Sequence, residues 1–201
     1  MCAAARPAEP PVLSPDWLRG TLEGGSERYE KRLADLADVY RDRAAFEEAL
    51  SRDEGDPVYW VESSTPDEGR GALTVGLSVL KPGRIGDEFA MTRGHLHAQS
   101  EFAELYYGLA GSGVMLLETV DGESRALPIS AGVAVHVPGG WVHRSVNVGD
   151  DLLVTLFAYN TEAGQDYGII ERAGGMQQLV VSDGAGGWST RPNPEHGGYG
   201  A

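Results

Sequence analysis

Thr92-Arg93-Gly94-His95-Leu96-His97, then Phe102-Ala103-Glu104-Leu105-Tyr106, then Pro138-Gly139-Gly140-Trp141-Val142-His143-Arg144-Ser145-Val146-Asn147 are the stretches on which the reading of this chain turns. They hold three of the five histidines. Side chains two apart in a strand project to the same face, so His95 and His97 would present both imidazoles together at a separation suited to chelation. Glu104 follows on the next β-type run, flanked by apolar residues, where a carboxylate buried without a cation would be costly. By itself a His-x-His pair describes surface or core histidines equally well.

Outward from these stretches the chain reads as short β-type runs. From Val58 onward, runs rich in β-branched and aromatic residues are separated by Lys81-Pro82-Gly83, Asp121-Gly122, Gly149-Asp150-Asp151 and Asp183-Gly184. Strands are expected near 58–62, 71–80, 87–92, 95–98, 103–109, 113–119, 124–127, 133–137, 142–148, 152–159 and 177–182. So many short strands in one unit imply an all-β closed barrel or jelly roll, which removes exposed sheet edges. Before the strands, Tyr29, Leu33, Leu36 and Tyr40 recur at helical spacing, with Glu27, Arg28, Glu30 and Lys31 on the other side, which predicts an amphipathic helix from Ser26 to Tyr40. Asp42 is placed to cap a second one over Arg43 to Leu50, on which Phe46 and Leu50 share a face. The N-terminal helical segment thus covers about 26–50 and the barrel about 58–182, within a single domain spanning 21–190. Residues 1–20 and 191–201 are expected to be tails.

The chain has 201 residues, an ordinary size for one hydrophobic core, and its 28 glycines and 11 prolines suit many turns between short strands. Its single cysteine, Cys2, excludes an intrachain disulfide and a thiolate metal site, which fits a reducing cytoplasm. Met1 to Pro15 lacks the continuous apolar run of a signal peptide or membrane span. A net charge of −14 argues against nucleic acid and anionic membranes as partners, and requires any anion site to be built locally from backbone amides, hydroxyls and one or two cations.

Gly132, Pro138, Gly140, His143 and Asn147 fit the pattern G-x5-P-x-G-x2-H-x3-N, which resembles the second motif of the cupin superfamily. The first cupin motif is matched less well. Glu104 and Gly111 have the right spacing, but six residues rather than three or four separate His97 from Glu104, and no glycine stands six before His95. With that departure, the text from Thr92 to Ala98, from Ala103 to Tyr106 and from Trp141 to Asn147 resembles the archaeal-type cupin glucose-6-phosphate isomerases. Arg32 to Leu36, Lys81 to Gly86 and Ala163-Gly164-Gln165-Asp166-Tyr167-Gly168 are similar to the same family, so the likeness runs from about Leu33 to Val181.

This resemblance implies a cupin fold, a double-stranded β-helix or jelly-roll barrel, with His95, His97, Glu104 and His143 as ligands of one divalent metal. The mixed imidazole and carboxylate set suits Fe2+, Mn2+, Ni2+ or Zn2+. It implies aldose–ketose isomerisation of a sugar phosphate in glycolysis or gluconeogenesis, by a cytoplasmic homodimer. Such a reaction needs a base and stabilisation of developing negative charge, whether it runs through an enediol(ate) or a hydride shift. Glu104 is the expected proton shuttle, with Tyr159 beside it. Phosphate contacts fall on Ser78, Thr92 and Gly94, and sugar contacts on Tyr106, Tyr159 and Tyr167. Arg93 is a further candidate near the phosphate. Departures from the family are Gln165, a further substrate contact, where a histidine is expected, and His136 and Gly140, where tyrosines are expected. Alternation with Val133, Val135 and Val137 puts His136 on the face opposite the valines, either towards the cavity or as a buried structural histidine. A non-catalytic sugar-phosphate-binding cupin and an iron-dependent dioxygenase on the same scaffold stay open as alternatives.

Overall fold

A computed structural model describes residues 9–200. In chain order the strands are β1 (Ser14–Asp16), β2 (Thr21–Glu23), β3 (Glu27–Arg32), β4 (Pro57–Ser64), β5 (Leu73–Leu80), β6 (Arg84–Ile85), β7 (Glu88–Phe89), β8 (Glu104–Ala110), β9 (Ser112–Thr119), β10 (Ser124–Ser130), β11 (Ala134–Val137), β12 (Trp141–Asn147), β13 (Leu153–Asn160), β14 (Gln178–Ser182) and β15 (Trp188–Pro192). Helices α1 (Arg43–Leu50) and α2 (Gly168–Arg172) and two short 3-10 turns complete the described elements.

Six strands form one antiparallel sheet in the order β11-β8-β13-β5-β4-β3, and β10-β9-β12 form a second. The chain passes from one sheet to the other after β8, after β10, after β11 and after β12, which is jelly-roll winding. Residues 91–95 extend the second sheet through single bridges from Met91 to Val146 and from His95 to His143. Leu36, Phe46, Leu80, Val114, Met115, Val142 and Leu153 belong to the one main core that these elements share. Gly111 makes the first crossing. Its φ is +77°, and a β-carbon there would come within 2.3 Å of the Leu152 carbonyl oxygen, so the turn accepts only glycine.

The expected all-β class holds, and the strands expected from 58 onward are present, with 87–92 and 95–98 reduced to short pairs and single bridges. Helix α1 forms as read, with the Asp42 side chain accepting from the Ala45 amide at 2.9 Å. The helix expected from Ser26 to Tyr40 does not form: Glu27–Arg32 is strand β3, paired with β4, and only Leu33–Leu36 makes a 3-10 turn. Leu33, Leu36 and Tyr40 are buried as helical spacing implied, but Tyr29 is 46% exposed at the sheet edge, so the four residues never shared one face. Pairing with β4, a partner some 30 residues away in the chain, overrides local periodicity.

Both tails need correction. Residues 1–8, with Cys2, lie outside the described residues, but β1 and β2 form a hairpin whose Leu22 packs with Leu77, Val79 and Val154 on the outer face of the large sheet. At the other end β15 pairs with β14, and Asn193 is buried, its amide donating to the Gly174 and Met176 carbonyls. His196 bonds the Gly175 carbonyl and Tyr199 donates to Glu118, so the segment after 191 is fastened to the barrel rather than free.

Asn147 shows how the crossing after β12 is held. It is fully buried, its amide donates to the Leu80 and Asp151 carbonyls at 2.9 and 2.8 Å, and its carbonyl accepts from the Gly149 amide at 3.0 Å. Asn147→Ala leaves these groups unpaired and is expected to cost about 2–3 kcal/mol in urea unfolding, with an unchanged denaturant slope.

Candidate metal centre and substrate cavity

The site arises where three extended segments meet: residues 95–97, β8 and β12. Glu104 opens β8 and stands opposite Val137 of β11 and Tyr159 of β13. His143 lies in β12, and its amide and carbonyl exchange hydrogen bonds with those of His95 at 2.9 and 3.0 Å. The next residue, Leu96, turns its backbone the other way, bonding Asp166 in both directions, so His95 and His97 project together as the alternation required. His97 Nε2 and His143 Nε2 each lie 3.1 Å from Glu104 Oε2, and His95 Nε2 lies 3.7 Å from it. All four side chains are buried, and their four ligand atoms lie within 4.8 Å of one another.

The protonation pattern tests whether a cation fits. His97 Nδ1 is 2.9 Å from the Phe102 carbonyl and His143 Nδ1 is 3.0 Å from the Trp141 carbonyl. A carbonyl only accepts, so both Nδ1 atoms carry hydrogen and a neutral ring turns its Nε2 lone pair toward the carboxylate. Lone pairs facing a carboxylate oxygen at that range repel unless a proton or a cation lies between them. Burial, with His143 adding to it, pushes His95 down to about 4, so it is neutral at pH 7, and its Nε2 is buried without a hydrogen-bond partner. His97 moves the other way: burial is the largest single influence and opposes its charge, but the bond to Glu104, the bond to the Phe102 carbonyl and the Glu104 charge together outweigh it and raise its pKa. For Glu104, burial is outweighed by its close contacts with His143, His95 and His97, which hold the carboxyl well below its ordinary range. An anionic oxygen and three bare imidazole nitrogens fit a divalent cation of the borderline class.

Beside the centre is a cavity of about 300 Å³. Every residue read as a substrate contact lines it: Ser78, Thr92, Gly94, Tyr106, Tyr159, Gln165 and Tyr167. Thr92 Oγ1 accepts from the Ser145 amide at 3.1 Å, and Tyr167 donates to Gln165 Oε1 at 2.7 Å. Gly94 has φ +76°, and a β-carbon would meet the His143 carbonyl at 2.8 Å, so only glycine brings its backbone to the cavity wall here. Burial, then the Glu104 charge, raises the pKa values of Tyr106 and Tyr159, so both phenols keep their protons and can donate to a sugar oxygen.

Two residues are elsewhere than expected. Arg93 does not line this cavity; its guanidinium is 2.5 Å from Asp38 and 3.4 Å from Glu171. His136 is exposed, neither buried nor in the cavity, because Val135 and Val137 of β11 take the inner face and His136 shares the outer one with its partner Leu105. Gly140 does not line the cavity either. The sequence reading missed Glu27, Tyr29, Tyr59, Val61, Ser63, Ser145 and Phe157, all cavity-lining. Period two from His143 marks Ser145, whereas Glu27 and Tyr29 were hidden by the helical reading of their segment.

An antiparallel jelly roll with three imidazoles and a carboxylate converging inside it defines the chain as a cupin whose buried nitrogen and oxygen donors could hold a metal ion. Within that class, a model of the family described as "Glucose-6-phosphate isomerase (GPI)" matches residues 30–196, and the chain belongs to that family. A glucose-6-phosphate isomerase of Sinorhizobium medicae (strain WSM419) is 44% identical over 185 residues, covering 92% of this chain and 86% of that one. Proteins of the same name from Thermococcus kodakarensis, 39% identical over 160 residues and covering 80% of this chain and 84% of theirs, and from Pyrococcus horikoshii, 38% identical over 176 residues and covering 87% and 91%, are similar across the same span.

His95→Ala, His97→Ala and His143→Ala are each expected to lower bound metal, measured by elemental analysis after dialysis; full retention in all three would refute the site. Because the cation must displace protons, and the His97 proton is held more tightly than usual, occupancy of the wild type should fall as pH drops from about 7.5 to 5.

Proposed function

We propose that this chain interconverts glucose 6-phosphate and fructose 6-phosphate, using a divalent metal held by His95, His97, Glu104 and His143. The observation that carries this reading is the convergence of three imidazoles on one buried carboxylate, beside a hydroxyl-lined cavity, in a member of the glucose-6-phosphate isomerase family. Such a metal supplies electrostatic stabilisation of negative charge developing on the sugar oxygens. Fe2+, Mn2+, Ni2+ and Zn2+ all suit the donor set.

The phosphate is assigned to Ser78, Thr92 and the backbone at Gly94, which answers the −14 charge with local dipoles rather than a basic patch. Tyr106, Tyr159, Tyr167 and Gln165 take the sugar oxygens. The three imidazole contacts of Glu104 all fall on Oε2, which leaves Oε1 to accept a proton from carbon 2 of the open-chain aldose and return it to carbon 1. Tyr159, across the ladder from Glu104, keeps its phenolic proton and can give it to the oxygen on carbon 1 and take one back from the hydroxyl on carbon 2 as the carbonyl moves from carbon 1 to carbon 2. A hydride shift would use the same residues but limit Glu104 to ligation.

EDTA treatment is expected to abolish conversion of fructose 6-phosphate in a coupled assay, and restoring one of the four metals to recover it. Activity that persists in demonstrably metal-free protein would exclude the metal's role. Glu104→Gln, with metal content measured alongside, should lose roughly 10²-fold or more in turnover while substrate affinity stays near normal. Deuterium from solvent should enter the product at the carbon that receives the proton. Unimpaired turnover in metal-loaded Glu104→Gln would remove Glu104 as the base.

The chain is further assigned to the cytoplasm, which its single cysteine supports, and to a homodimer. Leu105 and Tyr107 are each about two-fifths exposed, and with their cross-strand partners His136 and Ala134 they form an exposed face on β8 and β11. If a second copy covers this face, light scattering should report twice the chain mass for wild type and a monomer for Leu105→Glu.

A further inference from the structure

β5 reads Leu73-Thr74-Val75-Gly76-Leu77-Ser78-Val79-Leu80, and a glycine inside a central strand weakens it, since it packs nothing and gives up the most backbone freedom on folding. Backbone conformation does not call for it, because Gly76 is not among the glycines at positive φ. Space does. A β-carbon on Gly76 would lie 2.2 Å from Phe157 Cζ, 2.7 Å from its Cε1 and 2.8 Å from the Glu62 carbonyl oxygen. Gly76 and Phe157 face each other across the β5–β13 ladder, and the tip of the Phe157 ring occupies the place a side chain would take.

From that slot the ring reaches two phenols of the cavity, the buried Tyr106 and the half-buried Tyr159. Tyr159 stacks on it, with centroids 5.8 Å and planes 16° apart, and Tyr106 lies 6.3 Å away at 46°. Each phenol stands in turn beside a ligand imidazole, Tyr159 at 5.8 Å from His97 and Tyr106 at 5.9 Å from His143, and those imidazoles are 5.6 Å apart. The five rings close a circuit. Phe157 is its one member without a polar atom, buried and lining the cavity, unable to ligate, donate or accept.

We propose that Phe157 is a positioning residue: wedged into the slot that Gly76 leaves, its ring sets the separation of Tyr106 and Tyr159, and with it the place where the sugar carbons lie against Glu104. This role rests on the isomerase reading given above. Phosphate anchoring is assigned to other side chains, so Phe157 governs the geometry of the reacting end more than the hold on the substrate.

Phe157→Leu keeps apolar bulk but loses the plane and reach of the ring. With fructose 6-phosphate its kcat is expected to fall about 10- to 100-fold, the scale of a small misplacement of reacting groups. KM should change by less than about threefold, and bound metal by elemental analysis should match wild type. Gly76→Ala, which drives the ring out of the slot, is expected to show the same split. The double variant should lose no more than the worse single one, since both remove one arrangement. Should Gly76→Ala fail to fold, Phe157→Leu decides alone. A Phe157→Leu kcat within about twofold of wild type, a kcat loss matched by metal loss, or single losses that multiply in the double variant would overturn the positioning role. A metal-loaded but inactive wild type would overturn the isomerase reading and this role with it, whereas an active wild type beside an equally active Phe157→Leu overturns this role only.

Discussion

A carboxylate stripped of water and surrounded by imidazoles is the constraint around which the barrel is organised. Glu104 is 3% exposed, in a position where an uncompensated charge costs several kcal/mol, so the interior must bring positive charge to it. Two extended segments, residues 95–97 and β12, do so with little freedom. The paired backbone bonds between His95 and His143 lock two imidazoles side by side, and the Nδ1 bonds to the Phe102 and Trp141 carbonyls fix two of the rings in one tautomer. The same contacts serve as a proton-stabilised cluster or as a ligand set, which couples metal affinity to pH.

No lysine or arginine among the described residues lines the cavity, and the two arginines beside it hold backbone. Arg144, buried next to His143, donates 2.8 Å bonds to the Arg93 carbonyl and to Met91 sulfur, and the Arg93 guanidinium ties the same segment to Asp38 and Glu171. Residues 91–95, which carry Thr92, Gly94 and His95, are thereby clamped from both ends. An anion at this cavity meets hydroxyls, phenols and amides within a strongly acidic protein, so its binding depends on exact local geometry more than on long-range attraction.

Close approach is the second theme, and glycine permits it at several places, three of which shape the cavity and the first crossing of the barrel. Gly94 brings its backbone against His143, Gly111 lets the chain cross between sheets over Leu152, and Gly76 gives way to the Phe157 ring. The first two need positive φ as well as room, whereas Gly76 needs room alone. A lone glycine inside a strand pattern is a readable sign of such an approach, though the partner that approaches is not.

Much of the site was legible because its parts lie in short patterns. His95 and His97 are two apart in an extended segment, and Gly132 to Asn147 carries its turn residues, its ligand and the buried Asn147 at set spacing. From 58 onward, strand runs and turn residues agree with each other, and α1 carries its own cap. Strand β3, the β1–β2 hairpin and the fastened C-terminal segment were not legible, because distant partners supply their backbone bonds and burial. His136 marks the boundary between the two kinds of information. Alternation in the sequence determined that it lies opposite Val135 and Val137; only the tertiary structure decided that the valine side is the inner one, because the parity of a strand is local whereas the face that meets the core depends on how the sheets pack.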